Sequence, residues 1–260
     1  MNKHLQNSLL WLYRQVTRTG LMQWSPVRET FHFAYGLYKQ QFEAGPIAEL
    51  RSYVLPNTAV LDIGANVGFF TTRFARWLDV SDGKVIAFEP EAENFQRLLA
   101  NLSRLDLAAN RVEALQCAVA DQAGILCLAV NPYHPGDHKL DAEGIPVEVV
   151  TIDGILEARG WPTVSLIKID VQGAEARVIQ GSCKTLEKFH PALFIEVDKS
   201  NLAGYGTSPE GLLEDLGKLG YQPYRLRKHQ PPEQVSQNQA IAIVQKSQYA
   251  DFLFLASRQG

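Results

Sequence analysis

The chain has 260 residues, a formal net charge of -3, a hydrophobic fraction of 46% and a charged fraction of 20%. This composition is ordinary for a globular protein with a sizeable core, and it excludes long disordered stretches. The acidic balance also argues against nucleic acid as a partner, because nucleic-acid binders carry an excess of Lys and Arg.

The cysteines and the apolar runs exclude several further classes of protein. Cys117, Cys127 and Cys183 lie far apart without a C-x-x-C pair, so we expect neither a disulfide framework nor a metal site. No stretch approaches 18 apolar residues, and the N-terminus lacks the apolar region and cleavage site of a signal peptide. We therefore expect a cytoplasmic protein with no transmembrane segment.

The first 54 residues predict a helical N-terminal extension that is rich in aromatic residues. One interpretation is a lid that closes over a cofactor cleft and excludes water, with Tyr38 and Glu43 near the pocket. A homodimer surface, a helix at a membrane interface and simple packing are the alternatives that the pattern leaves open.

Residues 55–260 predict one α/β domain in which strands alternate with helices around a mainly parallel sheet. The predicted strands cover residues 59–63, 84–88, 112–119, 165–169, 192–197 and 251–256. Two further β-like runs predict an inserted hairpin, at residues 125–130 and 146–151. The polar stretch 228–239 contains two prolines and is interpreted as a surface loop.

The strongest functional signal is the sequence DIGANVG over residues 62–68, between an apolar strand and a helix. Glycine lets a backbone approach a ligand closely, and the start of the helix offers free N–H groups. The next predicted strand ends at Glu89, where a carboxylate can accept hydrogen bonds from two ribose hydroxyls. Together these features predict a nucleotide-like cofactor site.

The loop favours a sulfonium cofactor over a dinucleotide. Dinucleotide sites show G-x-G-x-x-G, whereas Gly64 and Gly68 are separated by three residues and an acidic residue, Asp62, precedes them. Asp62 would repel a pyrophosphate but suits the positive charge of S-adenosylmethionine. The residues predicted to contact this cofactor in the loop are Asp62, Gly64, Ala65, Asn66 and Gly68.

The ordered set of motifs resembles the FkbM-type methyltransferases. The resemblance rests on DIGANVG at 62–68, FEP at 88–90, VVTID at 149–153, LIKIDVQGAE at 166–175 and VIQG at 178–181. It implies a Rossmann-like class I methyltransferase fold, whose seven-stranded sheet has one antiparallel strand and helices on both faces. It also implies S-adenosylmethionine as methyl donor and O-methylation of a hydroxyl on a small molecule, sugar or polysaccharide.

Two residues are the predicted catalytic groups. Asp170 follows a central strand, where open α/β sheets bind ligands, and it could orient the acceptor, act as a base or contact the cofactor; the alternative is a helix cap. His138 is a candidate base because histidine titrates near neutral pH, with His134 as the second choice and a solvated loop histidine as the alternative.

Four further residues have two interpretations each. Ala120 and Asp121 follow the third strand and could bind adenine, or Asp121 could simply initiate a turn. Glu175 could reach the cleft or stabilise the start of its helix. Lys168 should be partly buried beside a carboxylate rather than catalytic.

Two other classes of function remain as alternatives. A nucleic-acid or protein methyltransferase could use the same fold, although the Asn-Pro-Pro-aromatic tetrapeptide of exocyclic-amine methylases is absent and residues 170–173 occupy its place. The second alternative is a non-catalytic module that binds S-adenosylmethionine in a biosynthetic assembly.

Overall fold

The structure is a computed structural model that describes residues 44–78, 82–105, 111–130, 138–141 and 143–257. Its strands are β1 Ala59–Ile63, β2 Lys84–Phe88, β3 Val112–Leu115, β4 Ala118–Val119, β5 Gly124–Ala129, β6 Lys139–Asp141, β7 Ile145–Val150, β8 Val164–Ile169, β9 Ala192–Asp198, β10 Tyr221–Arg227, β11 Gln230–Gln234 and β12 Tyr249–Ala256. Its α-helices are α1 Ala44–Ile47, α2 Phe69–Trp77, α3 Ala92–Arg104, α4 Ile152–Glu157, α5 Glu175–Gln180, α6 Cys183–Phe189, α7 Lys199–Gly204, α8 Pro209–Lys218 and α9 Gln237–Ser247, and a 3₁₀ helix covers Ala48–Tyr53.

The main sheet has eight strands in the order β11-β10-β12-β9-β8-β1-β2-β3. Strands β3, β2, β1, β8 and β9 run parallel to one another, whereas β12 runs antiparallel to both β9 and β10. All residues of β1 and β8 are buried, as expected for central strands of a parallel sheet that is covered on both faces. The predicted Rossmann-like fold is confirmed, with β11 as one strand beyond the expected seven.

The prediction of a loop over residues 228–239 was wrong. Residues 230–234 form the edge strand β11, which pairs antiparallel with β10, and α9 begins at Gln237. Proline removes a backbone donor, and Pro231 and Pro232 lie in this edge strand where its pairing with β10 changes register. The helix is started by a capping box between Ser236 and Gln239.

The predicted hairpin is present as part of a second, four-stranded sheet in the order β4-β7-β5-β6. Strands β5 and β7 pair antiparallel, with Leu126 opposite Val147. The run 112–119, predicted as one strand, is split into β3 in the main sheet and β4 in this inserted sheet. The inserted sheet is thereby joined to the cleft side of the domain through Ala118 and Val119.

Two apolar cores cover the two faces of the main sheet. Leu50 of the predicted extension is fully buried in the core that contains Phe74 and Leu98. The boundary at residue 54 and the lid interpretation stay predictions, since Tyr38 and Glu43 lie outside the described residues. Within the described ranges, no helix is both long enough and apolar enough to cross a membrane.

Candidate functional site

One cavity of about 630 Å³ lies at the carboxyl edge of the parallel strands. Ligand sites are typically of this size and, in open α/β sheets, they lie at this edge. Six of the residues predicted from the sequence line the cavity together: Gly64, Ala65, Asn66, Glu89, His138 and Asp170. Pro46 and Ile47 line it as well, so the described end of the extension reaches the cleft.

The glycine loop is held against the ends of the neighbouring strands. The amides of Gly64 and Ala65 both donate to the carbonyl oxygen of Phe88, at 3.0 and 2.9 Å. Gly64 has a φ of 76°, and a Cβ there would stand 1.9 Å from the carbonyl oxygen of Asp170. Only glycine therefore allows β1 and β8 to approach each other at the base of the cleft.

Gly68 shapes the turn that leads into α2. Its φ is 90°, and a Cβ would lie 2.6 Å from Cδ1 of Leu98. The Gly68 amide donates to the Ala65 carbonyl oxygen at 2.9 Å. Gly68 does not line the cavity, so it supports the loop from behind.

Glu89 is buried at the end of β2 and binds the loop directly. Its Oε2 accepts from the amide of Asn66 at 2.8 Å, and its Oε1 accepts from the amide of Glu91 at 2.9 Å. Burial raises the pKa of Glu89 to about 7, against the opposing effect of these two hydrogen bonds. Each carboxylate oxygen retains a further acceptor site for a ligand hydroxyl.

A buried ion pair lies beneath the glycine loop. The Lys168 ammonium is 3.5 Å from Oδ1 of Asp62 and donates to the Gly64 carbonyl oxygen at 2.8 Å. Oδ2 of Asp62 accepts from the Thr71 hydroxyl, whereas Oδ1 has no hydrogen-bond partner within the described part of the chain. The structure therefore places Lys168 as expected, buried beside carboxylates, and Asp62 beneath the loop rather than in the cavity wall.

Asp170 occupies the first position after β8. Its amide donates to the Ile63 carbonyl oxygen at 3.1 Å, which continues the ladder between β1 and β8 by one residue. Its Oδ1 accepts from Nε2 of Gln172 at 2.9 Å, and its Oδ2 lies 3.6 Å from the Lys168 ammonium. The carboxylate is partly exposed to the cleft and is held on both of its oxygens.

Glu175 binds the loop that joins β8 to α5. Its Oε1 accepts from the amides of Val171 and Gly173, at 3.2 and 3.1 Å. The side chain is buried and does not line the cavity, and burial raises its pKa to about 7. Glu175 therefore organises the loop that carries Asp170.

His138 lines the cavity immediately before β6, next to Lys139. His134, the second candidate base, lies outside the described residues. Within the residues that the structure describes, no group of three or more His, Cys, Asp or Glu side chains is arranged to hold a metal ion.

The structure does not bring the two predicted adenine contacts into the cavity wall. Ala120 is fully buried, and its amide donates to the Val150 carbonyl oxygen at 3.0 Å. Oδ1 of Asp121 accepts from Nε of Arg177 at 2.6 Å. Cys117, directly before β4, does line the cavity. The adenine role of Ala120 and Asp121 stays a prediction.

Sequence reasoning missed several cavity residues. Phe70 lies in the first turn of α2, and its ring centroid is 5.2 Å from the Lys168 ammonium. Gln172, Glu196 and Asn201 also line the cavity. Alternation along β9 could have placed Glu196 on the same face as Phe194, but only the register between β8 and β9 shows that this face also carries Lys168.

Comparison with known proteins agrees with this architecture. The chain is 28% identical to methyltransferase sdnD of Sordaria araneosa over 70% of this chain and 80% of that protein. It is 31% identical to 31-O-demethyl-FK506 methyltransferase FkbM of Streptomyces tacrolimicus, over 48% of this chain and 60% of that one. It is 27% identical to hexuronic acid methyltransferase AglP of Haloferax volcanii, over 48% of this chain and 50% of that one.

A family model matches a larger share of this chain than the similarities to FkbM and AglP cover. The model of the methyltransferase FkbM domain matches residues 62–223, which is more than half of the chain and includes the glycine loop, Glu89 and Asp170. The predicted resemblance and the predicted methyltransferase activity are thereby confirmed. The chain belongs to the FkbM methyltransferase family.

Proposed function

We propose that the protein transfers the methyl group of S-adenosylmethionine to a hydroxyl group of a small molecule or sugar. The observation that carries this proposal is that the glycine loop, Glu89, Asp170 and His138 all line the same cavity. A cofactor bound by the loop and Glu89 would therefore lie in the same cavity as Asp170 and His138.

The residues present fit the proposed cofactor. The carboxylates of Asp62 and Asp170 outnumber the Lys168 ammonium that lies beside both, so this region keeps a net negative charge, which suits a cation and opposes a pyrophosphate. Glu89 retains acceptor sites for ribose hydroxyls, and Asn66 and Ala65 line the same wall. Oδ1 of Asp62 is a buried acceptor that the described residues leave without a hydrogen bond.

When bound, S-adenosylmethionine supplies an electrophilic methyl group whose transfer is an in-line displacement at carbon. The chain's own residues must then align the acceptor oxygen and remove its proton. Asp170 is suited to orient the hydroxyl, because Gln172 and Lys168 hold its carboxylate. His138 is the proposed base, since a neutral imidazole can accept the hydroxyl proton as the carbon–oxygen bond forms.

A hydroxyl acceptor is supported by the relatives and by the walls of the cleft. The names of the relatives from Streptomyces tacrolimicus and Haloferax volcanii describe methylation of a demethylated oxygen of FK506 and of a hexuronic acid. In this chain, Glu196 and Asn201 add hydrogen-bonding groups beyond Asp170, which suits a polyhydroxylated acceptor.

The cofactor assignment is tested by calorimetric titration of S-adenosylmethionine and S-adenosylhomocysteine into the purified chain. We expect micromolar affinity for both, weakened at least about tenfold by Glu89→Ala, since two hydrogen bonds to a charged group are lost. Glu214→Ala on the exposed side of α8 is the matched control. Absence of binding to well-folded wild-type protein would overturn the assignment.

The activity is tested by screening hydroxylated acceptors for a mass increase of one methyl group. Asp170→Asn should abolish transfer while S-adenosylhomocysteine still binds, because the amide keeps the shape but loses the charge. A non-catalytic binding module is the competing function. It would be favoured if the wild-type chain bound the cofactor but methylated no sugar, macrolide or other hydroxyl compound.

A further inference from the structure

We propose that a hydrogen-bond relay of Lys139, Asn201 and Gln172 positions the Asp170 carboxylate and ties it to the inserted sheet. The inference rests on the proposed function, in which Asp170 and His138 act on the acceptor. It assigns the three relay residues a positioning role, because they act on the reaction through Asp170.

The relay is continuous from β6 through α7 to the loop after β8. The Lys139 ammonium on β6 donates to Oδ1 of Asn201 on α7 at 2.9 Å. Nδ2 of Asn201 donates to Oε1 of Gln172 at 2.9 Å. Nε2 of Gln172 then donates to Oδ1 of Asp170 at 2.9 Å and to Oε2 of Glu196 at 3.3 Å.

The two ends of the relay dictate its direction. An ammonium can only donate, so Lys139 requires the oxygen of Asn201 and turns its nitrogen toward Gln172. The oxygen of Gln172 is thereby engaged, and its nitrogen must face the carboxylates. Ionised carboxylates can only accept, so the opposite end of the relay imposes the same orientation. The Lys139 ammonium at one end and the two carboxylates at the other thus favour the same orientation of Gln172.

The backbone conformation at Gln172 and Gly173 brings the relay residues together. Gln172 has a φ of 55°, a left-handed conformation that is strained for a residue with a Cβ. At the next position, Gly173, a Cβ would stand 2.3 Å from the Asn201 carbonyl oxygen, so glycine lets α7 approach the loop. The Tyr205 hydroxyl at the end of α7 also donates to the Leu140 carbonyl oxygen on β6, at 2.9 Å. Helix α7 therefore links the inserted sheet to the loop of Asp170 by two side chains.

The consequence is control over both predicted catalytic groups. Gln172 holds one oxygen of Asp170 and Lys168 faces the other, so rotation of the carboxylate is restricted. His138 directly precedes Lys139, so the same contact restrains the strand that carries it. Misplacement of reacting groups by a fraction of an ångström lowers rates strongly without any loss of cofactor contacts.

The relay itself is tested by NMR of the full chain without added ligand. The Gln172 side-chain amide and the Asp170 carboxylate carbon are assigned by their loss in Gln172→Leu and Asp170→Asn. We expect Lys139→Met to shift both signals through the relay, and Lys139→Arg to restore most of the shift. Lys218→Met on α8 is the control that should leave them unmoved. Unchanged Gln172 and Asp170 signals in Lys139→Met would overturn the relay.

Its role in catalysis is tested by a double-mutant cycle with an acceptor found in the screen. We expect Lys139→Met and Gln172→Leu each to lower kcat roughly tenfold at unchanged S-adenosylhomocysteine affinity, and the double variant to be no worse than the poorer single variant. Additive losses, or a parallel loss of cofactor affinity, would overturn the positioning role. If the wild-type chain methylates no acceptor, the proposed function fails, while the NMR result still decides whether the relay exists.

Discussion

Lys168→Met removes the positive member of the buried ion pair beneath the glycine loop. The side chains of Lys168 and Asp62 are 4% and 0% exposed, and their charged atoms are 3.5 Å apart. Methionine has a similar length but no charge, so the Asp62 carboxylate would stay buried with only the Thr71 hydroxyl as a donor. The Gly64 carbonyl oxygen would also lose its contact with the ammonium.

Breaking a buried ion pair from one side costs about 3–5 kcal/mol, because a charge is left uncompensated in the interior. For a domain of this size, that corresponds to a fall in Tm of roughly 6–20 °C. The assay is chemical denaturation at neutral pH, followed by circular dichroism and tryptophan fluorescence to check that the two transitions coincide. Lys184→Met is the matched control, since Lys184 is exposed on α6, and it should change the free energy of unfolding by less than about 0.5 kcal/mol.

The double variant Asp62→Asn with Lys168→Met separates charge from packing. It removes both charges at once, so we expect it to recover about half or more of the stability lost in Lys168→Met. A cost below about 1 kcal/mol for Lys168→Met, or a double variant that is no more stable than the single one, would refute the reasoning.

The remaining predictions concern Glu175, Gly64 and Glu89. The raised pKa of Glu175, from 4.5 to about 7, disfavours its ionised form in the folded state by about 3 kcal/mol. The free energy of unfolding should therefore fall as pH rises from about 4.5 to about 7. Glu175→Gln should flatten this slope in denaturation measured across that range, and an unchanged slope would contradict the prediction. Gly64→Ala should lower the free energy of unfolding by at least about 2 kcal/mol in the same assay. Gly204 has open space where a Cβ would stand, so Gly204→Ala should be neutral or slightly stabilising. Equal effects of the two variants would contradict the close approach of Gly64 to Asp170. S-adenosylhomocysteine affinity should weaken as pH falls below about 7, where Glu89 takes up a proton and loses acceptor capacity, and a flat calorimetric profile would count against this contact.

Local patterns carried much of the fold and predicted the glycine loop and Glu89 of the candidate site. A buried parallel strand needs a continuous apolar run, and a glycine turn followed by a helix needs particular residues at fixed offsets, so β1, the loop and Glu89 could be read along the chain. Alternation along β8 likewise predicted that Lys168 would be buried beside a carboxylate. In each case the interacting partners are close in sequence or on adjacent strands.

The other features depend on contacts between distant segments. Pro231 and Pro232 predict a loop by composition, yet they lie in the edge strand β11, where the pairing with β10 changes register and neither proline is a paired position. The ion pair of Asp121 with Arg177 joins residues 56 positions apart.

The relay shows most clearly what tertiary structure alone decided. Its residues come from β6, α7 and the loop after β8, and no spacing in the chain relates them. The sequence by itself determined which strands and turns form, because propensity and hydrophobic period act over a few residues. Which polar side chains meet in the cleft was decided by strand register and helix docking, since a hydrogen bond exists only within about 3 Å and such precision arises only after the core has packed.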